Sequence, residues 1–297
     1  SSVPLLHRRK RRRPPDRRHP VDRIAVVTTA DLKTALEERL TALGPVLQAT
    51  GEFLLAARSG DLAVQTKSTV RDLVTFADTE SEHRLVDFIS SHFPADGLLA
   101  EEGSRRNPDA EFLWVIDPLD GTINYAHGLP LFNISVGIAY NGEPVAGMVY
   151  LPAMNELYRA IEGQGAQLNG KSIRVSATRD LQSGLVVTGF PYEREKYLDM
   201  LLEGVRRVLG SCRGLRRTGS AALDLCWLAA GRFDLLYEFF LNPWDICGGA
   251  VVLREAGGTL TGVDGAPFTL ETGAILATNG ILHEPALTLL GGLQARL

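Results

Sequence analysis

The sequence predicts a mixed fold, α+β in its N-terminal half and α/β in its C-terminal half. Three observations carry that expectation. Strand-like runs at 132–140, 144–151 and 155–161 follow one another closely, and Asn141-Gly142 between the first two is a hairpin signal. From about residue 183 strand and helix patterns alternate. The chain has 297 residues, 45% of them hydrophobic, which suits one large domain or two closely packed halves.

The elements follow in order. Residues 1–23 carry nine Arg or Lys and two Asp, a segment of about +7 in a chain whose net charge is −4. Arg8 to Arg13 has no apolar periodicity, so residues 1–30 read as a disordered basic tail. No apolar stretch follows those charges, which argues against a secretory signal. No stretch is expected to reach the length of a membrane span. Leu32, Leu36, Leu40, Leu43, Leu47 and Phe53-Leu54 give helical periodicity over 31–58. A polar stretch runs from Gly60 to Thr69. A second helix is expected at 80–92, opened by a Thr79–Glu82 capping box and stopped by Pro94. Leu98-Leu99-Ala100 and Phe112–Ile116 are short apolar strands that end in acids. Turns are expected at Gly163 to Ala166 and at Asn169-Gly170. Further strands fit 184–189, 233–239 and 274–278, and helices fit 194–209, 220–230, 244–255 and 281–292. The expected division is a tail (1–30), an N-terminal α+β subdomain (31–180) and a C-terminal α/β subdomain (181–297).

The cysteines Cys212, Cys226 and Cys247 are odd in number and widely spaced. They suggest neither a disulfide framework nor a zinc site, and point to a reducing compartment such as the cytoplasm.

The chemistry concentrates in Asp117-Pro118-Leu119-Asp120-Gly121-Thr122. Two carboxylates on a turn can hold hard divalent cations through oxygen. A tight turn that opens a helix offers backbone N–H groups to phosphate. Asp78, Glu101 and Asp245 also fall where strands end or helices begin. Each acid alone has an ordinary role in a cap or a turn. Together they supply what phosphate ester cleavage requires. Two metals about 3.5–4 Å apart can neutralise phosphoryl oxygens, activate water and stabilise the departing alkoxide. Oxygen-only ligation selects Mg²⁺ or Mn²⁺ over zinc. Thr122, polarised by Asp78, could take a proton from the attacking water.

These motifs, in this order, resemble the inositol monophosphatase family of Mg²⁺-dependent, lithium-inhibited sugar-phosphate phosphatases. The resemblance spans about residues 33–290. Lys67-Ser68 with Asp72 to Asp78 looks like the family's first motif, and Glu101-Glu102 is similar to its metal-binding pair. Trp114 to Tyr125 matches the central signature, and Trp244-Asp245 with Glu255-Ala256-Gly257-Gly258 the C-terminal one. Asn155-Glu156-Leu157 and Thr218 to Asp224 look like the bacterial branch.

The resemblance implies a layered αβαβα sandwich and a homodimer. It implies two to three Mg²⁺ ions. Glu101, Asp117 and the Leu119 carbonyl would hold the first, and Asp117, Asp120 and Asp245 the second. Glu101 would serve a third through water. Asp78 and Thr122 would activate the attacking water, and the Gly121 and Thr122 backbone would bind phosphate. Asp120, Ser220, Ala221 and Glu238 would line a polyol pocket. Lys67 could balance the anionic site. The expected function is inositol-1-monophosphatase activity on a small sugar or polyol phosphate. The alternatives on the same scaffold are fructose-1,6-bisphosphatase, histidinol-phosphatase and 3′-phosphoadenosine 5′-phosphate phosphatase. A binding role is another: an RNA-linked or transcription-associated factor whose basic tail contacts phosphates. A metal-buffering protein with a dead site is the last, and the intact acid set argues against it. No membrane partner is expected.

Overall fold

The structure, a computed structural model, describes residues 29–59, 70–191 and 194–293, with side chains from residue 75 in the second stretch. The basic run, Lys67-Ser68 and the Asp72 side chain lie outside the described residues.

Helix α1 (Thr29–Ser59) and helix α2 (Val70–His92) open the fold. Strands β1 (Gly97–Ala100), β2 (Arg105–Arg106) and β3 (Phe112–Asp120) follow, then a short helix α3 (Thr122–Ala126). Strands β4 (Asn133–Tyr140), β5 (Glu143–Leu151), β6 (Glu156–Ile161), β7 (Ala166–Leu168) and β8 (Lys171–Ser172) complete an eight-stranded sheet of order β2-β1-β3-β4-β5-β6-β7-β8. Its strands pair antiparallel except β1 with β3. The predicted Asn141-Gly142 hairpin joins β4 to β5, with both residues at positive φ.

The second half contains β9 (Leu185–Thr188), α4 (Leu198–Ser211), β10 (Gly214–Arg216), α5 (Ala221–Ala229) and β11 (Leu235–Phe239). Then come α6 (Pro243–Glu255), β12 (Thr259–Gly262), β13 (Ala274–Thr278) and α7 (His283–Leu290). The second sheet has order β10-β9-β11-β13-β12, parallel at β10/β9/β11 and antiparallel beyond.

Packing stacks these elements in five layers. Helices α1 and α2 cover one face of the first sheet, with Leu36, Leu40, Leu47 and Leu85 fully buried against Trp114, Ile134 and Met148. Helices α5 and α6 fill the space between the two sheets, and α4 and α7 cover the far face of the second. This is the αβαβα sandwich the resemblance implies.

The central contact is unusually close. Gly137 and Gly147 are cross-strand neighbours on β4 and β5. A Cβ on Gly147 would lie 2.3 Å from the Gly248 carbonyl oxygen of α6, and one on Gly137 2.2 Å from the Cys247 sulfur. Bare glycines let the backbone of α6 rest on the first sheet, which carries the N-terminus of α6 towards the end of β3.

Three expectations need correction. Helix α2 begins ten residues earlier than the capping-box pattern suggests, because nothing between Val70 and Asp78 breaks a helix. Thr79 is interior: its hydroxyl donates to the Thr75 carbonyl at 2.8 Å. Glu82 instead accepts the Glu102 and Ser104 N–H groups at 2.8 and 3.0 Å. Strand β3 does not end at Ile116 but continues through a register break at Asp117/Asp120, where Pro118 cannot donate to the ladder. Finally, α1 is long and apolar enough to cross a membrane, contrary to the sequence reading. Its apolar face is buried against β5 and α2 instead.

Candidate active site

Parallel pairing of β1 with β3 aligns Ala100 with Ile116, so Glu101 and Asp117 emerge side by side. The Glu101 N–H donates to the Ile116 carbonyl at 3.1 Å, and the two carboxyl groups hydrogen-bond to one another. Asp117 is buried, and its Oδ1 accepts the Leu119 N–H at 3.0 Å.

The bulge then turns Asp120 towards the second half of the chain. Its Oδ2 accepts from Ser220 Oγ at 2.6 Å, the Ala222 N–H at 3.0 Å and Asn133 Nδ2 at 3.1 Å. Ser220 is the N-cap of α5. Asp245, in the first turn of α6, accepts the Asn242 N–H through Oδ2 at 2.7 Å. Asp120 is thus oriented by β4 and by the start of α5, and Asp245 by the cap of its own helix.

Gly121 has φ +87, and a Cβ there would lie 2.6 Å from the Leu131 carbonyl oxygen, so the turn demands glycine. Thr122 opens α3, and its hydroxyl donates to the Leu119 carbonyl at 3.1 Å. Asp78 sits buried on α2, which packs against α3. Among the described residues no hydrogen bond joins Asp78 to Thr122.

Glu101, Asp117, Leu119, Asp120, Gly121, Thr122, Ser220, Ala221, Glu238 and Asp245 all line one cleft enclosing about 180 Å³. Asp78 stands outside that lining. Glu238 reaches the cleft from β11. A Cβ on Gly189 would collide with its carboxylate, so the bare glycine makes the room it occupies. Glu238 Oε2 is buried and, among the described residues, has no hydrogen-bond partner.

The electrostatics follow from this crowding. Burial, with Glu101, Asp120 and Asp245 nearby, pushes Asp117 well above the carboxylate range. Burial raises Asp120 too, against the hydrogen bonds from Ser220, Asn133 and Ala222. Burial and neighbouring acids raise Glu101 and Asp245 to about 7, and Asp78 to about 8. Glu238 reaches about 8 through burial and the charges of Asp120 and Asp245, eased by Arg217.

Such a cluster fits a hard divalent cation. Its donors are oxygens only, and its members repel one another until positive charge or protons intervene. Among the described residues no three acidic, imidazole or thiol groups are already closed around a common point. Glu101 and Asp117 hold each other instead, so an ion would take the place of their shared proton.

Sequence reasoning missed several members. Asn133 donates both to Asp120 and, at 2.7 Å, to Ser220 Oγ. Its signal was a polar residue leading the apolar run of β4. Phe190, Arg194, Arg217 and Phe240 also line the cleft, and nothing in their local sequence marks them.

The inositol monophosphatase family model matches residues 35–294. The chain belongs to the inositol monophosphatase family. It is 41% identical to an inositol-1-monophosphatase of Synechocystis sp. over 87% of this chain and 89% of that one. It is also 41% identical to the Nus factor SuhB of Escherichia coli K12, over 70% of this chain and 78% of that one. Among solved structures, an inositol monophosphatase from Anabaena sp. matches with a TM-score of 0.77 and 40% identity, covering 88% of this chain and 96% of that chain. The SuhB extragenic suppressor protein from Bartonella henselae matches with a TM-score of 0.76 and 32% identity, covering 85% and 99%. The family is metal-dependent and acts on sugar and inositol phosphates. The acid cluster of this family phosphatase accords with that chemistry.

Proposed function

We propose that the protein is a Mg²⁺-dependent phosphate monoester hydrolase that converts myo-inositol 1-phosphate and water to myo-inositol and phosphate. The observation that carries this reading is the convergence of Glu101, Asp117, Asp120 and Asp245 on one cleft. Glu101, Asp117, Asp120, Asp245 and the Leu119 carbonyl would hold two to three ions. Bound Mg²⁺ supplies Lewis-acid polarisation of the phosphoryl group and of water. The chain's own residues do the rest. Thr122, with Asp78 on the adjoining helix, accepts the proton of the attacking water. The Gly121 and Thr122 backbone N–H groups receive the phosphate. Asp120, Ser220 and Ala221 hold the polyol, and Glu238 accepts a ring hydroxyl through its unpartnered oxygen.

We assign the elements up to residue 180 to a subdomain carrying most metal ligands, and those from 181 onward to one completing the site. Lithium inhibition and a homodimer belong to the same proposal.

The test is a phosphate-release assay with magnesium over myo-inositol 1-phosphate, fructose 1,6-bisphosphate, histidinol phosphate and 3′-phosphoadenosine 5′-phosphate, with and without lithium. Magnesium-dependent, lithium-sensitive release from the inositol ester supports the proposal. No release from any ester defeats it.

The relatives named Nus factor SuhB favour a second reading, an RNA-linked role in which residues 1–23 contact phosphates. RNA binding that weakens steeply with salt, and that is lost on deleting 1–23, would support it. Binding indifferent to the deletion would sink it.

A further inference from the structure

Strand β4 runs antiparallel to β3, and its register sets Asn133 against Asp120 and Ser135 against Asp117. Residues directly opposite on paired strands share a face of the sheet. Asn133 and Ser135, two apart on one strand, share that face as well. The two polar pairs differ in one respect. Asn133 donates to Asp120 at 3.1 Å. Ser135 is fully buried, and among the described residues its Oγ has no hydrogen-bond partner.

The surroundings of Ser135 narrow what that hydroxyl can reach. Farther along the same face, Gly137 lies opposite Val115 and packs against Cys247 of α6. A Cβ on Gly248 would lie 3.0 Å from Ser135 Oγ. Gly248 follows Asp245 by three residues, on the same side of α6. On its other flank, β5 sets the apolar Val149 against Ser135. Ser135 Oγ thus lies where β3, β4 and the first turns of α6 meet, and its polar cross-strand neighbour is Asp117. In this structure Asp117 is engaged elsewhere: it hydrogen-bonds to Glu101 and accepts the Leu119 N–H.

A hydroxyl sealed from water without a partner costs free energy. Alanine would fill the same strand position without that cost. Such an orphan calls for a state in which the hydroxyl is used. Glu101 and Asp117 part when a cation replaces their shared proton. Asp117 is then fully charged, and a hydroxyl donating to a carboxylate makes a short, strong bond.

We propose that Ser135 is a positioning residue for Asp117: its hydroxyl donates to that carboxylate once a divalent cation is bound, as Asn133 already donates to Asp120. This rests on the metal-dependent hydrolase reading above. Ser135 touches neither the ion nor the ester and acts through Asp117.

The test is a calorimetric magnesium titration of the full-length protein without substrate, beside thermal melts in chelator. Parent, S135A and S135C are compared. S135A is expected to raise the Tm in chelator by about 2 °C or more, because the uncompensated hydroxyl is gone. It is expected to weaken magnesium binding by about 10-fold or more, as for other groups that orient a metal-binding carboxylate. S135C keeps nearly the same volume but is a weak donor, so it should weaken magnesium binding as well. Parental affinity in S135A overturns the proposal. So does a Tm in chelator at or below the parental one, which marks the hydroxyl as a structural partner. Parental affinity in S135C makes volume the cause and overturns it too. Phosphate release is assayed in parallel. A protein that binds magnesium with this dependence on Ser135 but frees no phosphate defeats the hydrolase reading and upholds the inference. A parent that binds no magnesium overturns both.

Discussion

The end of β3 and the end of β11 face each other across one cleft and are built on opposite terms. At β3 every acid is held by groups aimed at it: three donors converge on Asp120, a backbone N–H takes Asp117, and Gly121 permits the turn. At β11, Glu238 Oε2 has no hydrogen-bond partner among the described residues, Phe240 holds a strained backbone, and Arg217 acts on Glu238 through its charge. The first region is preorganised for charge, and such preorganisation is the largest single source of catalysis in many enzymes. The second leaves polar and aromatic groups unspent. Under the proposed function, the chemistry belongs to the β3 side and the choice of substrate to the β11 side.

The largest effect should follow from damage to the β3 side. D117N or D120N is expected to reduce magnesium-dependent turnover on the order of 10³-fold or more, because each removes a charge from the centre of the cluster. Both variants should stay folded, since relieving repulsion among buried acids costs no packing. Initial rates and a thermal melt check both statements. Near-parental turnover in either variant would break the contrast between β3 and β11.

A smaller loss tests whether the β3 side is truly held from outside. Asn133 touches no substrate position but donates to Asp120 and Ser220 together. N133A is expected to lower turnover or apparent magnesium affinity by about 10–100-fold, as is usual for a group orienting a metal-binding carboxylate. A magnesium titration of the rate separates the two effects. An unchanged titration would show that Ser220 and the Ala222 N–H suffice.

Most of the β3 side was legible in the sequence because its groups lie within six residues and their spacing is the signal. The β11 side was legible only at Glu238, and only through the family resemblance. Phe190, Arg194, Arg217 and Phe240 come from three separate segments, and no local pattern joins them. The fold shows the same division. The hairpin, the long helices and the strand–helix alternation follow from periodicity and turn chemistry. The short strands β2, β7, β8, β10 and β12 escaped because two to four residues cannot display a period. Asn133 escaped because its importance lies in partners 13 and 87 residues away.

The pH dependence of stability should report the same repulsion. Asp78 and Glu238 are raised to about 8, and Glu101 and Asp245 to about 7, from ordinary values of 3.8 for Asp and 4.5 for Glu. A carboxyl raised on folding favours the folded state when protonated. The stability these groups contribute is full below about pH 4 and is lost as pH rises through about 7 to 8. In the presence of a chelator, urea midpoints are expected to fall between pH 5 and pH 9. Magnesium should flatten that fall, because a bound cation favours the ionised acids. A chelated protein with a level midpoint across this range would mean that water already screens the cluster.

The smallest expected effect concerns Thr79 and Glu82. If they formed a capping box, T79A would lose about 1 kcal/mol. In the structure the Thr79 hydroxyl merely returns to the Thr75 carbonyl inside α2, a bond that does little for a helix. T79A is therefore expected to change stability by less than about 0.5 kcal/mol. E82A is a different matter. Its carboxylate is buried and holds the Glu102 and Ser104 N–H groups of the turn that follows Glu101. Removing it leaves two donors short of a partner, at a cost of about 1–3 kcal/mol. The same change loosens the turn that presents Glu101 to the cleft. Urea unfolding of the two variants measures the difference, and E82A alone should also weaken magnesium-dependent turnover. Equal losses in both would restore the capping box and place the start of the helix at Glu80 after all.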